Sequence, residues 1–220
     1  MSRNKYPEET IKLILDISEK LFMKNGYDNT SIQDIINGLG GLSKGAVYHH
    51  FKSKEEIFDA VSRRHGEKIG LKFHKLLKDK SLNGYEKLKE MFRISLADAD
   101  DDILYSSAPE IMTNPRLLAA QVKGIFYDVV PFFIRPVIDE GIKDGSIKTD
   151  YPQELSEVIV TLTNLWLNPM IIHADIETMS NRVRFFDQLL ESQGIKLLDD
   201  NMLNDYIYYC QTYHNKINCF

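Results

Sequence analysis

The chain has 220 residues, 43% of them hydrophobic and 27% charged, and a formal net charge of −5. This length is sufficient for a buried core, and the composition is that of an ordinary globular protein, which excludes a fibrous repeat and general disorder. Residues 1–80 carry 15 Lys and Arg against 11 Asp and Glu, whereas residues 81–220 carry 12 against 21, so only the first part suits a nucleic-acid phosphate.

The first predicted helix spans residues 8–25. The chain begins with a polar stretch, so we expect neither a secretory signal nor a membrane anchor. Apolar residues then recur at helical spacing from Ile11 to Phe22, and Gly26 supplies a left-handed stop.

Two short helices follow. Thr30 and Ser31 can each open a capping box, so either starts a second helix, which ends near Gly38. Ser43 is a good N-cap for a third helix, 44–51. Because a glycine-containing turn precedes the third helix, these elements predict a helix-turn-helix unit.

From residue 54 onwards almost every segment predicts helix. We place helices at 54–80, 84–100, 103–112, 115–145, 152–173, 177–193 and 199–215. Pro131 and Pro136 are expected to kink or divide the 115–145 helix. The predicted fold class is all-α. An N-terminal three-helix DNA-binding domain, 1–53, extends into the 54–80 helix, and a C-terminal helical ligand-binding and dimerisation domain covers 54–220.

A resemblance to the DNA-binding domain of the tetracycline-repressor (TetR) family is carried by residues 21–58, LFMKNGYDNTSIQDIINGLGGLSKGAVYHHFKSKEEIF. The matching elements are Leu21-Phe22, Gly26-Tyr27, Thr30-Ser31, Ile35, Ser43-Lys44-Gly45, Tyr48 and Phe51-Lys52-Ser53-Lys54. The resemblance implies a homodimer that inserts the third helix of each subunit into the major groove of a palindromic operator. It also implies release of the double-stranded DNA when a small-molecule effector binds the C-terminal domain.

The candidate DNA contacts are polar groups on the third helix and at neighbouring helix starts. Lys44 can reach a guanine edge or a phosphate, and Gly45 allows close backbone approach. Hydroxyl and imidazole groups one turn further on suit phosphates, as do free N–H groups at helix starts. The full set is Thr30, Ser31, Ser43, Lys44, Gly45, Ala46, Tyr48, His49, His50 and Lys54.

Alternatives stay open at several of these positions. Tyr48 is equally compatible with core packing, and Phe51 is expected to pack there. Adjacent helical residues do not face the same way, so His49 and His50 are expected to hold no metal. Many TetR relatives have Thr where Ala46 stands, and the 39–42 turn is one residue longer than usual, which leaves the operator sequence open.

Aromatic residues mixed with isolated polar groups make up the predicted effector pocket. The candidates are Phe92, Tyr105, Phe126, Tyr127, Asn164, Trp166 and His173, and ordinary core packing is the alternative for each. Pockets of this kind are mostly apolar, so we expect a hydrophobic or amphipathic effector. A broad apolar face on 152–173, which the family resemblance extends to 177–193, predicts dimerisation through these helices.

We interpret the chain as a ligand-responsive DNA-binding transcriptional regulator and a repressor. The alternative is a carrier that sequesters small molecules and has a vestigial DNA-binding head. The sequence contains no recognisable catalytic set, so we expect no enzyme and no cofactor. Cys210 and His214 have the spacing of two metal ligands, but no third ligand is near in sequence, and no metal is expected. Two cysteines without a disulfide framework suit the cytoplasm.

Overall fold

The computed structural model describes residues 7–97 and 115–217, and every regular element in these ranges is helical. The first half contains α1 (Pro7–Asn25), α2 (Ile32–Gly38), α3 (Lys44–His50), α4 (Lys54–Lys78) and α5 (Gly84–Ala97). The second half contains α6 (Pro115–Gly124), a π-helical segment π1 (Ile125–Ile134), α7 (Arg135–Asp144), α8 (Pro152–Thr161), a second π-helical segment π2 (Leu162–Trp166), α9 (Ile176–Glu191) and α10 (Asp200–Ile217).

The all-α prediction is confirmed for the described residues, and most helix boundaries lie within two residues of those expected. The predicted 103–112 helix and the last residues of the predicted 84–100 helix lie outside the described residues. None of the described helices is both long enough and apolar enough to span a bilayer.

The predicted 115–145 helix is not divided at its prolines. It changes from α-helix to π-helix and back to α-helix. The run is continuously helical from 115 to 144, and Pro131 lies inside π1. A proline has no N–H and its ring clashes with the carbonyl four residues earlier, so an ordinary α-turn is unfavourable there. In π1 the bonds reach five residues back, as when the Arg135 N–H donates to the Val130 carbonyl. Pro136 lies in the first turn of α7.

The predicted 152–173 helix ends early, at Trp166. Pro169 disfavours the helical conformation in the residue before it, and the Asn168 side-chain oxygen accepts from the Met170 N–H at 2.9 Å, which stabilises a turn. Residues 167–175 therefore form a connector between π2 and α9, and His173 lies on this connector.

The described residues form two compact units, residues 7–68 and residues 69–97 with 115–217. The core of the first unit contains an aromatic trio, Phe22, Tyr27 and Phe58, with ring centroids 5.1 to 5.7 Å apart. Arg64 of α4 adds ion pairs to Asp16, at 2.6 Å, and to Glu19, both of α1. Apolar burial and these charge pairs hold α4 against α1.

In the second unit, α5 and α7 pack with their backbones in contact. A Cβ on Gly84 would lie 2.2 Å from the Gly141 backbone nitrogen, so only glycine fits at this crossing. The Gly84 N–H donates to the Asp144 carboxylate at 2.8 Å. Nearby, Lys87 is 2% exposed and donates to both Glu140 carboxylate oxygens, at 2.7 and 2.8 Å. The buried ammonium is thereby paired, as burial of a charge requires.

Candidate nucleic-acid interface

The turn before α3 sets the direction of the candidate recognition helix. Gly40 and Gly41 take φ values of 59° and 139°, and only glycine adopts such values at little cost. Ser43 then caps α3, since its hydroxyl accepts from the Ala46 N–H at 3.2 Å. The N-cap predicted at Ser43 is confirmed, and the extra glycine lies in the turn itself.

The two faces of α3 differ sharply in exposure. Val47 is fully buried and Phe51, which follows the helix, is also buried, as expected for core packing. Lys44, Gly45 and His49 are exposed on the other side. This helix therefore has one face in the core of its unit and presents short polar and cationic groups on the other.

Tyr48 lies on the exposed face of α3, with 41% of its surface accessible. Lys44 lies one turn before Tyr48 on the same helix, and its ammonium is 5.7 Å from the centroid of the Tyr48 ring. A cation at this distance from an aromatic ring is attracted by the negative face of the ring. The two side chains thus form one exposed group. His50 is half-buried, and its ring lies 5.1 Å from that of His49.

Thr30 is the one predicted contact whose side chain is fully buried. Its hydroxyl donates to the Gly26 carbonyl at 2.7 Å and contacts the Leu21 carbonyl at 3.3 Å. Thr30 therefore ties the end of α1 to the start of α2, and its hydroxyl is not presented to a phosphate. This placement corrects the prediction for Thr30, while Ser31 beside it is exposed.

The helix starts predicted to bind phosphate each carry a carboxylate. At α2, the Asp34 carboxylate accepts from the Ser31 N–H at 2.8 Å and the Ser31 hydroxyl accepts from the Asp34 N–H at 3.1 Å, which confirms the capping box. The Ser31 hydroxyl also lowers the pKa of Asp34. At α4, the Glu56 carboxylate accepts from the Lys52 N–H at 2.7 Å. Because like charges repel, these helix starts suit a phosphate less well than the exposed face of α3.

Lys54 at the start of α4 is engaged within its own unit. Its ammonium lies 4.1 Å from the centroid of the Tyr27 ring and donates to the Tyr27 carbonyl oxygen at 2.7 Å. The Tyr27 hydroxyl donates to Glu55 at 3.0 Å. Burial is the larger cause that raises the pKa of the Tyr27 hydroxyl, and the hydrogen bond to the Glu55 carboxylate and its charge raise the pKa further. The Lys54 ammonium is therefore held against Tyr27, close to the Glu55 carboxylate.

The predicted effector residues are scattered over the described part of the second unit. Phe92 is buried in the core, with its ring centroid 6.0 Å from that of Phe186. Phe126 and Tyr127 lie exposed on π1, Tyr127 with 72% of its surface accessible. Tyr105 lies outside the described residues. The mixture of aromatic and isolated polar residues in this part of the sequence predicted the set, but not how far apart its members lie.

Asn164 and Trp166 have other partners. The Asn164 amide donates to the Val160 carbonyl at 3.0 Å, one turn back in the helix. The Trp166 ring meets the Phe185 ring edge-on at 6.2 Å, and the Arg182 guanidinium lies 5.6 Å from its centroid. These contacts join π2 to α9.

A cavity of about 310 Å³ lies between the connector, the start of α9 and α10. We call it the α9–α10 cavity. The residues on which its chemistry depends are His173, Ala174, Asp175, Cys210, Tyr213 and His214. His173 alone among these was a predicted effector residue. The Cys210 and His214 spacing was the one sequence signal pointing to this end of α10.

Two family models match the chain. The model described as "Bacterial regulatory proteins, tetR family" matches residues 14–61, and the model described as "Tetracyclin repressor-like, C-terminal domain" matches residues 107–189. The matches cover 48 and 83 of the 220 residues, which together are more than half. The first match includes the whole of α2 and α3.

Curated relatives and solved structures agree with these models. The HTH-type transcriptional repressor KstR2 of Rhodococcus jostii (strain RHA1) is 28% identical over 153 residues, 65% of this chain and 70% of the relative. The Transposon Tn10 TetC protein of Escherichia coli is 26% identical over 167 residues, 76% of this chain and 81% of the relative. The crystal structure of E. coli NemR in its reduced form covers 93% of this chain and 96% of its own, with a TM-score of 0.60 at 15% identity, which is a likeness of fold.

Proposed function

Because the chain belongs to the tetR family of bacterial regulatory proteins, we propose that it is a homodimeric repressor that leaves a palindromic operator when a small molecule binds. The DNA-binding domain of this proposal comprises residues 1–53 and the start of α4. Residues 54–220 form the domain for dimerisation and effector binding. The chain acts by binding and needs no catalytic group.

The observation that carries the proposal is the division of α3 into a buried and an exposed face. Val47 anchors the helix in the core, while Lys44, Gly45 and Tyr48 face outward. A helix held in this way can enter a major groove with its cationic side toward the bases. Lys44, Ala46 and Tyr48 read bases, and Ser31, Ser43, His49, His50 and Lys54 position the DNA backbone.

Dimerisation is supported by apolar side chains that are exposed on α8 and α9 and half-buried on π2. Phe185 and Leu189 lie one turn apart on α9, with 57% and 39% of their surfaces accessible, and Val158 of α8 is also exposed. Trp166 contacts Phe185. A surface of this kind is costly in water and is covered in a dimer. Leu155 and Ile159, which belong to the predicted apolar face on 152–173, are buried in the subunit itself.

A selection of bound sequences from random duplex DNA tests the proposed function. We expect a palindromic motif with half-sites about one helical turn, ~34 Å, apart, and an affinity that falls steeply as salt rises. Enrichment of no motif would instead favour the carrier for small molecules. Sedimentation of the same sample checks the dimer.

A further inference from the structure

We propose that the α9–α10 cavity is the effector site and that it takes a small planar aromatic molecule bearing a cationic or hydrogen-bond-donating group. This inference rests on the proposed function, because it assigns the ligand of that regulator. The cavity volume of about 310 Å³ is at the small end of ligand sites, ~300 to 1,000 Å³. The ligand is therefore of one or two rings.

The floor of the cavity is apolar and polarisable. Met179 and Cys210 are almost fully buried, and Pro169 is buried beside them. Burial raises the pKa of the Cys210 thiol to about 11, so the thiol is protonated at neutral pH and acts as a wall, not as a nucleophile. Sulfur atoms pack favourably against aromatic rings.

The rim supplies aromatic faces. The rings of His173, on the connector, and Tyr213, on α10, have centroids 6.1 Å apart at a tilted angle of 49°. His214 is exposed at the same rim. A planar ligand can pack against these rings while its edge reaches the sulfur-containing floor.

The charge at the cavity favours a donor over an anion. Asp175 caps α9, and its carboxylate accepts from the Thr178 N–H at 2.7 Å. This bond lowers the pKa of Asp175, so the carboxylate is ionised and occupies the helix start that an anionic ligand would otherwise use. The Arg182 guanidinium contacts the Met179 sulfur at 3.7 Å, but it lies over the Trp166 ring and is not part of the lining.

The position of the cavity gives the ligand a way to act on the dimer. The connector joins π2 to α9, and the exposed apolar residues of the proposed dimer surface lie on both sides of it. The Tyr206 hydroxyl of α10 donates to the Leu167 carbonyl at 2.8 Å, which holds the connector against α10. A ligand wedged between the connector and α10 changes the angle at which α9 leaves π2, and with it the geometry of the proposed dimer.

The test is calorimetric titration of the full-length protein with three matched probes: benzamidine, benzamide and benzoate. We expect benzamidine to bind about threefold to fivefold more tightly than benzamide, the range of a partly exposed ion pair, and benzoate to bind weakest. Asp175→Asn keeps the N-cap, since Asn caps as well as Asp. This variant is expected to lose the preference for benzamidine. Unchanged probe order in Asp175→Asn would contradict the charge argument.

Cavity-filling variants locate the binding. Ala174→Phe is expected to abolish binding of all three probes, whereas the same substitution at Ala119, exposed on α6, is expected to leave it intact. Circular dichroism checks that Ala174→Phe is folded. If it is not, His173→Ala on the exposed connector is the substitute, with a loss of about threefold from the missing ring face. Unchanged probe affinity in folded Ala174→Phe, or in His173→Ala where that is the substitute, overturns the assignment.

A second readout separates this inference from the proposed function. Benzamidine is expected to weaken binding to the selected operator in the wild type and not in Ala174→Phe. His173→Ala, where that is the substitute, is expected to need about threefold more benzamidine for the same effect. A protein that binds its operator but none of the probes, or binds them without change in DNA affinity, refutes the effector site and leaves the regulator standing. Failure to select any DNA motif refutes the regulator itself.

Discussion

The ammonium of Lys54 lies 4.1 Å from the centroid of the Tyr27 ring while it donates to the main-chain carbonyl of the same residue at 2.7 Å. One side chain at the start of α4 thus fixes the segment that follows α1. We propose above that Lys54 also contacts a phosphate. These two roles make different predictions, and both can be measured.

Lys54→Gln is expected to lower the free energy of unfolding by about 1 to 2 kcal/mol, because it removes a cation–π contact and a charged hydrogen bond. Urea denaturation measures this loss. Lys52→Gln, an exposed neighbour, is the control and should change stability little. If Lys54 also contacts a phosphate, Lys54→Gln additionally reduces the slope of log affinity against log salt by about 1.

Lys44→Ala is expected to abolish specific operator binding, because Lys44 is a proposed base contact. It is expected to leave the dimer intact, because Lys44 is exposed on α3 and does not pack in the core. Loss of a base contact costs about 1 to 3 kcal/mol in discrimination. Fluorescence anisotropy with operator and scrambled DNA measures it. Lys148→Ala, an exposed lysine of the second unit, removes the same charge as a control. Unchanged operator affinity in Lys44→Ala would mean that α3 is not the recognition helix.

Gly84→Ala is expected to cost about 3 kcal/mol, the upper end for overpacking, because its Cβ would collide with backbone atoms of Gly141. Gly124→Ala is the matched control, since a Cβ there meets no heavy atom within 4 Å and the backbone is helical. It should gain roughly 0.5 to 1 kcal/mol. Thermal unfolding compares the two, and a tolerated alanine at position 84 would contradict the close crossing of α5 and α7.

Asp144→Asn is expected to reduce the loss in free energy of unfolding that the wild type shows as the pH falls into the acid range. Hydrogen bonds from the Ser146 hydroxyl and then from the Gly84 N–H lower the pKa of Asp144. A lowered folded-state pKa gives stability that is present above the unfolded value, about 3.9, and is lost as pH falls through the folded value. Wild type and variant should therefore differ at neutral pH and converge in acid.

Urea denaturation across this pH range measures the convergence. Asp205→Asn, at an exposed position on α10, controls for the loss of one negative charge. A constant difference between Asp144→Asn and the wild type at every pH would show that the effect is not protonation of Asp144.

Local signals in the sequence were sufficient to predict where the helices of the DNA-binding unit begin. Capping by Ser31 and Ser43 depends on residues three positions apart, so it can be read without knowing the fold. The burial of Thr30 is different, because it depends on carbonyls at the end of α1. The same capping signal fitted Thr30 and Ser31, and only tertiary packing separates them.

The proposed effector site was harder to predict, because its cavity joins segments that are far apart in the chain. Composition favoured the aromatics of 84–173, and Phe92 among them is core. The cavity instead combines the connector with α10, about forty residues later. That connector exists because Pro169 ends the helix before His173, a local effect that the predicted 152–173 helix overlooked.

The turn that leads into α3 requires glycine because of its backbone angles and not because neighbouring atoms leave no room for a side chain. A Cβ on Gly40 or Gly41 would meet no heavy atom within 4 Å, yet their φ values are ones that L-residues rarely adopt. A D-residue has the mirrored preference, so the φ values of this turn suit D-alanine and strain L-alanine. Two achiral residues therefore fix the direction in which α3 leaves the turn, and a chemically synthesised chain with D-alanine there would keep that direction while restricting the unfolded state.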